Sequence, residues 1–123
     1  MILVDTSIWV DHLRSHDEKL ARLLDNAGVL THPFIIGEIA LGYLQQREVV
    51  LSALSQLPVA TVANDDEVLR FIERRTLFGR GIGHVDAHLL AAVQLTGGAK
   101  LWTRDGKLLR AAEGLGWAAM EPR

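Results

Sequence analysis

The chain has no cysteine, only three prolines and one tyrosine, and no long apolar run. Without cysteine there is no disulfide framework, no thiolate nucleophile and no cysteine-ligated zinc centre. The same absence fits a reducing compartment, and a cytoplasmic location is expected. No stretch approaches the roughly 20 apolar residues that a membrane-spanning helix needs, so no membrane contact is expected. The opening apolar run stops at Asp5 and has no basic flank, so it does not read as a signal peptide. What remains is ordinary globular material. With 49% hydrophobic residues over 123 positions, residues 1–123 are expected to form one domain around one core.

Positive charge is slightly outnumbered, 13 Lys/Arg against 15 Asp/Glu, and the formal net charge is -2. That average hides an asymmetry. Residues 1–69 carry four Lys/Arg against ten Asp/Glu, whereas residues 70–110 carry eight against three. The basic segment holds Arg70, Arg74, Arg75, Arg80, Arg104, Lys107 and Arg110. Alone it reads as a solvated face. Beside an acidic metal site it becomes a surface for gripping phosphates, with Arg70, Arg74, Arg75, Arg80 and Arg104 as candidate RNA contacts.

Short apolar runs alternate with helical patterns. Ile2–Asp5, Gly28–Thr31, Val59–Val62 and Ala99–Thr103 read as buried strands, and Trp117–Met120 as an edge strand. Helices are expected over Ser7–Arg14, Asp17–Ala27, Pro33 to about Leu44, Arg47–Leu57, Asn64 or Asp65 to about Phe78, Val85–Leu95 and Gly106–Glu113. Strands separated by helices imply an α/β fold, a three-layer α/β/α sandwich with a mainly parallel sheet of four to five strands. In such sheets ligands bind beyond the carboxyl ends of the strands.

Four acids fall where that edge would be. Asp5 ends the first strand, Asp105 follows the fourth, and Glu38 and Asp86 lie on helices able to lean over the same edge. Each is set among apolar or small residues, where an ionised carboxylate needs a partner or a metal. Neither Asp5 nor Glu38 has a lysine or arginine within four positions. A hard divalent cation such as Mg²⁺ or Mn²⁺ would neutralise all four, since such ions prefer oxygen ligands. Asp5, Asp86 and Asp105 are the candidate ligands, direct or through water. Glu38 is a ligand or a water-orienting base, and Thr103 stands behind them as a support. A helix-capping role is the bland alternative for Asp5, Asp86 and Asp105.

Other signals carry less. His84 and His88 share a helical face, but Asp86 between them points away, so they read as surface or packing residues rather than a zinc site. Phe78–Gly83 is rich in glycine without the lysine of a phosphate-binding loop. The three tryptophans read as core or interface aromatics. A phosphatase that starts from a strand-end Asp needs a second acid two residues on, and that position is Ser7.

Taken in order, the four acidic stations resemble the PIN domains of the VapC type. Val4-Asp5-Thr6-Ser7 and Gly37-Glu38-Ile39-Ala40-Leu41-Gly42 are similar to the first two motifs of that family. Residues 81–92, from Gly81-Ile82-Gly83-His84-Val85-Asp86 through Ala92, are similar to the third and most specific motif. Thr103-Arg104-Asp105-Gly106-Lys107-Leu108 resembles the fourth, although a further acid that some relatives carry there is replaced by Lys107 and Leu108. The resemblance spans essentially the whole chain. It implies a metal-dependent endoribonuclease, the toxin of a toxin–antitoxin pair. It also implies a homodimer and an antitoxin partner through which alone DNA would be contacted. Within the same fold, an RNA-processing or quality-control nuclease is the alternative. The antitoxin is expected to use apolar residues near the first two motifs, among them Ile8, Trp9, Ile35, Ile36, Leu41 and Tyr43.

Overall fold

A computed structural model describes residues 1–119. Its centre is a short parallel sheet of three strands, β1 (Ile2–Val4), β2 (Val29–Leu30) and β3 (Lys100–Trp102), in the order β2-β1-β3. Leu3 pairs with Leu30 on one side and Leu101 on the other. Leu3, Val4 and Leu101 are fully buried, which is why these segments read as unbroken apolar runs.

Among the described residues seven helices surround the sheet: α1 (Thr6–Ser15), α2 (Glu18–Asp25), α3 (Pro33–Ala40), α4 (Arg47–Ser55), α5 (Asp65–Arg74), α6 (His84–Leu95) and α7 (Gly106–Leu115). Helix α1 packs on α3, α3 on α4, and α5 on α6, while α6 also meets β3. The parallel sheet with its covering helices is the expected α/β architecture. Helix α6 lies deepest, with every residue from Ala87 to Val93 buried. None of the described helices is long and apolar enough to cross a membrane.

The sheet is smaller than the four to five strands expected. Val59–Val62 makes a single bridge, Thr31 to Val59. Pro58 offers only its carbonyl, and the Thr61 N–H turns instead to the Thr96 hydroxyl at 2.9 Å. The Trp117–Met120 strand reduces to one bridge, Leu101 to Ala118, and Met120 lies outside the described residues.

Two helices end early. Helix α3 stops at Ala40 because the Arg47 guanidinium takes the carbonyls of Ala40 and Gly42, satisfying the helix end. Helix α5 stops at Arg74 because Thr76 adopts a φ of 52°, and the Leu77 N–H returns to the Ile72 carbonyl at 3.0 Å. That closure normally uses glycine, so a threonine there gives no signal in the sequence. The start of α5 was legible: Asn64 and Glu67 exchange side-chain-to-backbone bonds of 2.8 and 2.9 Å.

One buried histidine anchors α3. His32 Nδ1 accepts the Phe34 N–H at 3.0 Å, leaving the proton on Nε2. Burial, with His88 facing it, pushes its pKa down to about 4, so it stays neutral at physiological pH. Trp9 and Trp102 are core residues. Trp117 is half-buried and stacks on Phe71, with centroids 6.0 Å apart.

Candidate functional site

Asp5 is the one buried member of the acidic set, 6% exposed at the end of β1. It stands at the N-cap of α1, but its carboxylate makes no cap bond. Instead its Oδ2 accepts two hydroxyls, Thr103 Oγ1 at 2.7 Å and Ser7 Oγ at 2.9 Å. Each hydroxyl has a second task. Thr103 Oγ1 accepts the Asp105 N–H at 3.0 Å, and Ser7 Oγ accepts the Arg104 N–H at 3.1 Å. The Asp5 N–H in turn reaches the Trp102 carbonyl at 3.0 Å. Two adjacent parallel strands therefore end in one knot that fixes Asp5 and aims the chain toward Asp105.

The remaining acids converge from three helices. Glu38 is exposed on α3, and its Oε1 accepts the Thr6 hydroxyl at 2.8 Å, tying α3 to the start of α1. Asp105 is exposed and caps α7, with Oδ1 accepting the N–H groups of Lys107 and Leu108 at 3.0 and 3.1 Å. The capping role considered for Asp105 is therefore present, and it uses one oxygen only. Asp86 is half-buried in the first turn of α6, where Oδ2 accepts the Gly83 N–H at 3.3 Å. Burial pushes the Asp86 carboxyl above its ordinary range. The Gly83 hydrogen bond opposes that shift, and the nearby Asp5, Asp105 and Glu38 add to it. All four acids thus share one electrostatic environment.

No lysine or arginine forms an ion pair with any of the four among the described residues, and each carboxylate is held through one oxygen by neutral donors. The donor set is all oxygen, the chemistry of Mg²⁺ or Mn²⁺. Among the described residues no three His, Asp or Glu side chains stand close enough to enclose an ion by themselves. Carboxylates that share a field without forming a closed cage fit a cation that keeps several of its waters, as Mg²⁺ does.

The other expectations are placed as follows. His84 is exposed, and His88 is buried against the edge of Phe34 with centroids 4.8 Å apart, a packing role. Arg70 and Arg74 line a separate cleft of about 200 Å³ between α5 and α6. Arg75 lies over the Trp117 ring, and Arg80 belongs to the glycine loop. Arg104 pairs with Asp11 and Asp17, each at 2.7 Å, and its guanidinium lies 5.5 Å from the centre of the Trp102 ring. Of the five arginines it is the least available to a ligand. Thr6 and Ser7 were missed as site residues. Their signal was present, since two hydroxyls directly after a strand-end Asp are well placed to orient carboxylates.

Of the apolar residues expected to serve a partner, Ile8, Trp9 and Ile35 are buried in the core and Ile36 is partly buried. Leu41 and Tyr43 are 90% and 99% exposed. Tyr43 lines a groove of about 600 Å³ together with Val10, Leu13, Ile39 and Glu38 itself, among others.

Residues 2–114 match the family described as PIN domain. The chain is 51% identical over 121 residues to Ribonuclease VapC32 of Mycobacterium tuberculosis, from strain CDC 1551 / Oshkosh and from strain ATCC 25618 / H37Rv. The match covers 98% of this chain and 98% of each relative.

Proposed function

The chain belongs to the PIN-domain family, among its VapC ribonucleases, and from that membership we propose that its acidic cluster is the hydrolytic centre of a toxin that cuts RNA. The observation that carries this reading is the convergence of Asp5, Glu38, Asp86 and Asp105 in one field, with no ion pair to any of them from a described lysine or arginine. Asp5, Asp86 and Asp105 would hold a Mg²⁺ or Mn²⁺ ion, directly or through water. When bound, that ion supplies positive charge to the scissile phosphate and the departing oxygen.

The protein's own part is orientation and proton transfer. Ser7 and Thr103 both donate to Oδ2 of Asp5, which leaves Oδ1 available to the ion. Thr6 holds Oε1 of Glu38, so that Oε2 takes the proton of the attacking water. An RNA substrate puts the working protein in the cytoplasm. Purified chain is expected to cleave single-stranded RNA in Mg²⁺ or Mn²⁺ and to stop in excess EDTA. Undiminished cleavage with the chelator present would overturn the metal-dependent mechanism.

We further propose that the groove beside Glu38 receives an apolar helix of a cognate antitoxin, and that the toxin works as a homodimer when that partner is absent. Leu41 and Tyr43 support a protein partner, because large side chains so fully exposed mark interaction surfaces. A bound helix there also stands next to the site, where a basic side chain could neutralise the carboxylates. Leu13, 38% exposed on the groove wall, is the test position. Leu13→Glu is expected to leave RNA cleavage intact, weaken antitoxin binding in titration calorimetry, and let growth arrest persist when the neighbouring antitoxin gene is co-expressed. Unchanged antitoxin affinity would remove this groove from the interface. Light scattering of the purified chain at monomer mass would remove the homodimer.

A further inference from the structure

A single-stranded RNA entering a cluster of four carboxylates meets repulsion from its own phosphates. A cation fixed beside the cluster would offset it, provided that the protein's acids do not already consume that cation. Arg104 is consumed, since Asp11 and Asp17 hold it. Arg75 lies over Trp117. Arg70 and Arg74 face the cleft between α5 and α6, whose lining includes none of the four site acids.

Lys107 differs from all of these. It sits in the first turn of α7, and its own N–H donates to Asp105 Oδ1 at 3.0 Å. Its side chain runs across Gly81. A methyl group added at Gly81 would stand 3.0 Å from Lys107 Cδ and 3.1 Å from Nζ. Gly81 has a φ of +76°, a conformation that favours glycine, and an added methyl would also crowd the lysine stem. Two residues on, Gly83 donates to Asp86 Oδ2. The lysine stem therefore lies against the glycine loop that leads into the Asp86 turn, on the helix that Asp105 caps. It is exposed, yet it forms no ion pair with any described residue. Arg110 continues the strip, with its guanidinium over Gly106 one turn along α7.

We infer that Lys107 is a substrate contact, holding a backbone phosphate of single-stranded RNA beside the acidic cluster. The inference rests on the ribonuclease reading above. A lysine suits this position because it acts as a compact point charge on a flexible stem and can follow a phosphate without a fixed fork geometry. The glycine loop is then the floor over which that stem lies.

The test measures binding and cleavage separately. Binding of labelled single-stranded RNA is titrated across NaCl concentrations in an Asp86→Asn background, which prevents cutting. Lys107→Met in that background is expected to weaken binding and to lower the log-log salt slope by about 0.7, the loss of one phosphate contact on a single strand. Lys107→Arg retains the slope. In the otherwise native chain, Lys107→Met is expected to lower kcat/KM by about tenfold. The rise in melting temperature produced by Mg²⁺ should stay as in the native chain, because the lysine does not hold the ion. Arg22→Met, exposed on α2, leaves both slope and cleavage unchanged. A native chain that does not cut RNA sinks the ribonuclease reading and this inference with it. A native chain that cuts, with an unchanged slope for Lys107→Met, sinks the Lys107 assignment alone. A slope lost equally on Arg22→Met does the same, since binding would then follow general charge.

Discussion

Asp86→Asn is expected to abolish RNA cleavage without lowering the melting temperature of the metal-free protein. The two halves of this result have one cause. Burial already pushes the Asp86 carboxyl above its ordinary range, and the neighbouring acids add to that. A raised pKa means that the folded chain binds this proton more tightly than the unfolded chain does. Ionising Asp86 therefore opposes folding, and the cost enters as pH rises through the raised value. Above that raised value the metal-free protein carries the cost in full. Asparagine removes the charge and keeps a side-chain oxygen for the Gly83 N–H.

A bound divalent ion reverses the balance for the native chain, because a ligand that binds only the folded state stabilises it. The native melting temperature should rise with Mg²⁺, and the variant should lose most of that rise. Cleavage should fall by more than the roughly 10–100-fold that follows loss of a group supporting a metal ligand. Scanning calorimetry in EDTA and in Mg²⁺, with initial cleavage rates, checks each part. A lower melting temperature for Asp86→Asn in EDTA would make Asp86 a structural cap, and retained cleavage would remove it from the mechanism.

How much of this could be read from the sequence depended on whether the cause was local. The strand ends at Asp5 and before Asp105 were legible because apolar runs halt there. The caps of α5 and α7 were legible because Asn64 and Asp105 announce them through their own side chains. Residues 59–62 and 117–119 have strand-like composition but form single bridges, because the Thr96 hydroxyl just past α6 claims the Thr61 N–H and the second segment reaches only Leu101. Composition cannot report a competitor that arrives from another part of the chain. The same holds at the site. The four acids declared themselves one by one, while their supports pair residues 98 apart, Asp5 with Thr103, and 32 apart, Thr6 with Glu38. Leu41 and Tyr43 read as exposed only once α3 ended at Ala40, which depended on Arg47 folding back.

Those long-range supports make Thr103 the most informative residue outside the carboxylates. Thr103→Val keeps the side-chain shape and removes the hydroxyl. Its Oγ1 donates the shorter of the two bonds to the buried Asp5 Oδ2 and also accepts the Asp105 N–H. Removing it leaves a buried carboxylate oxygen with Ser7 alone and leaves a part-buried N–H without its acceptor. The first loss is a hydrogen bond to a charged group, so stability should fall by about 2 kcal/mol. The second frees the backbone at Asp105, so two of the four acids lose their orientation together, and cleavage should fall roughly 10–100-fold. Thr103→Ser restores the hydroxyl and should recover most of both. Because Ser7 and Thr103 share one acceptor, Ser7→Ala combined with Thr103→Val should cost less or more than the sum of the single changes, not equal it. Urea unfolding and cleavage rates on the four proteins measure this coupling. Additive effects, or a valine variant that cuts RNA as fast as the native chain, would show that the hydroxyl knot packs the strand ends without aiming Asp5.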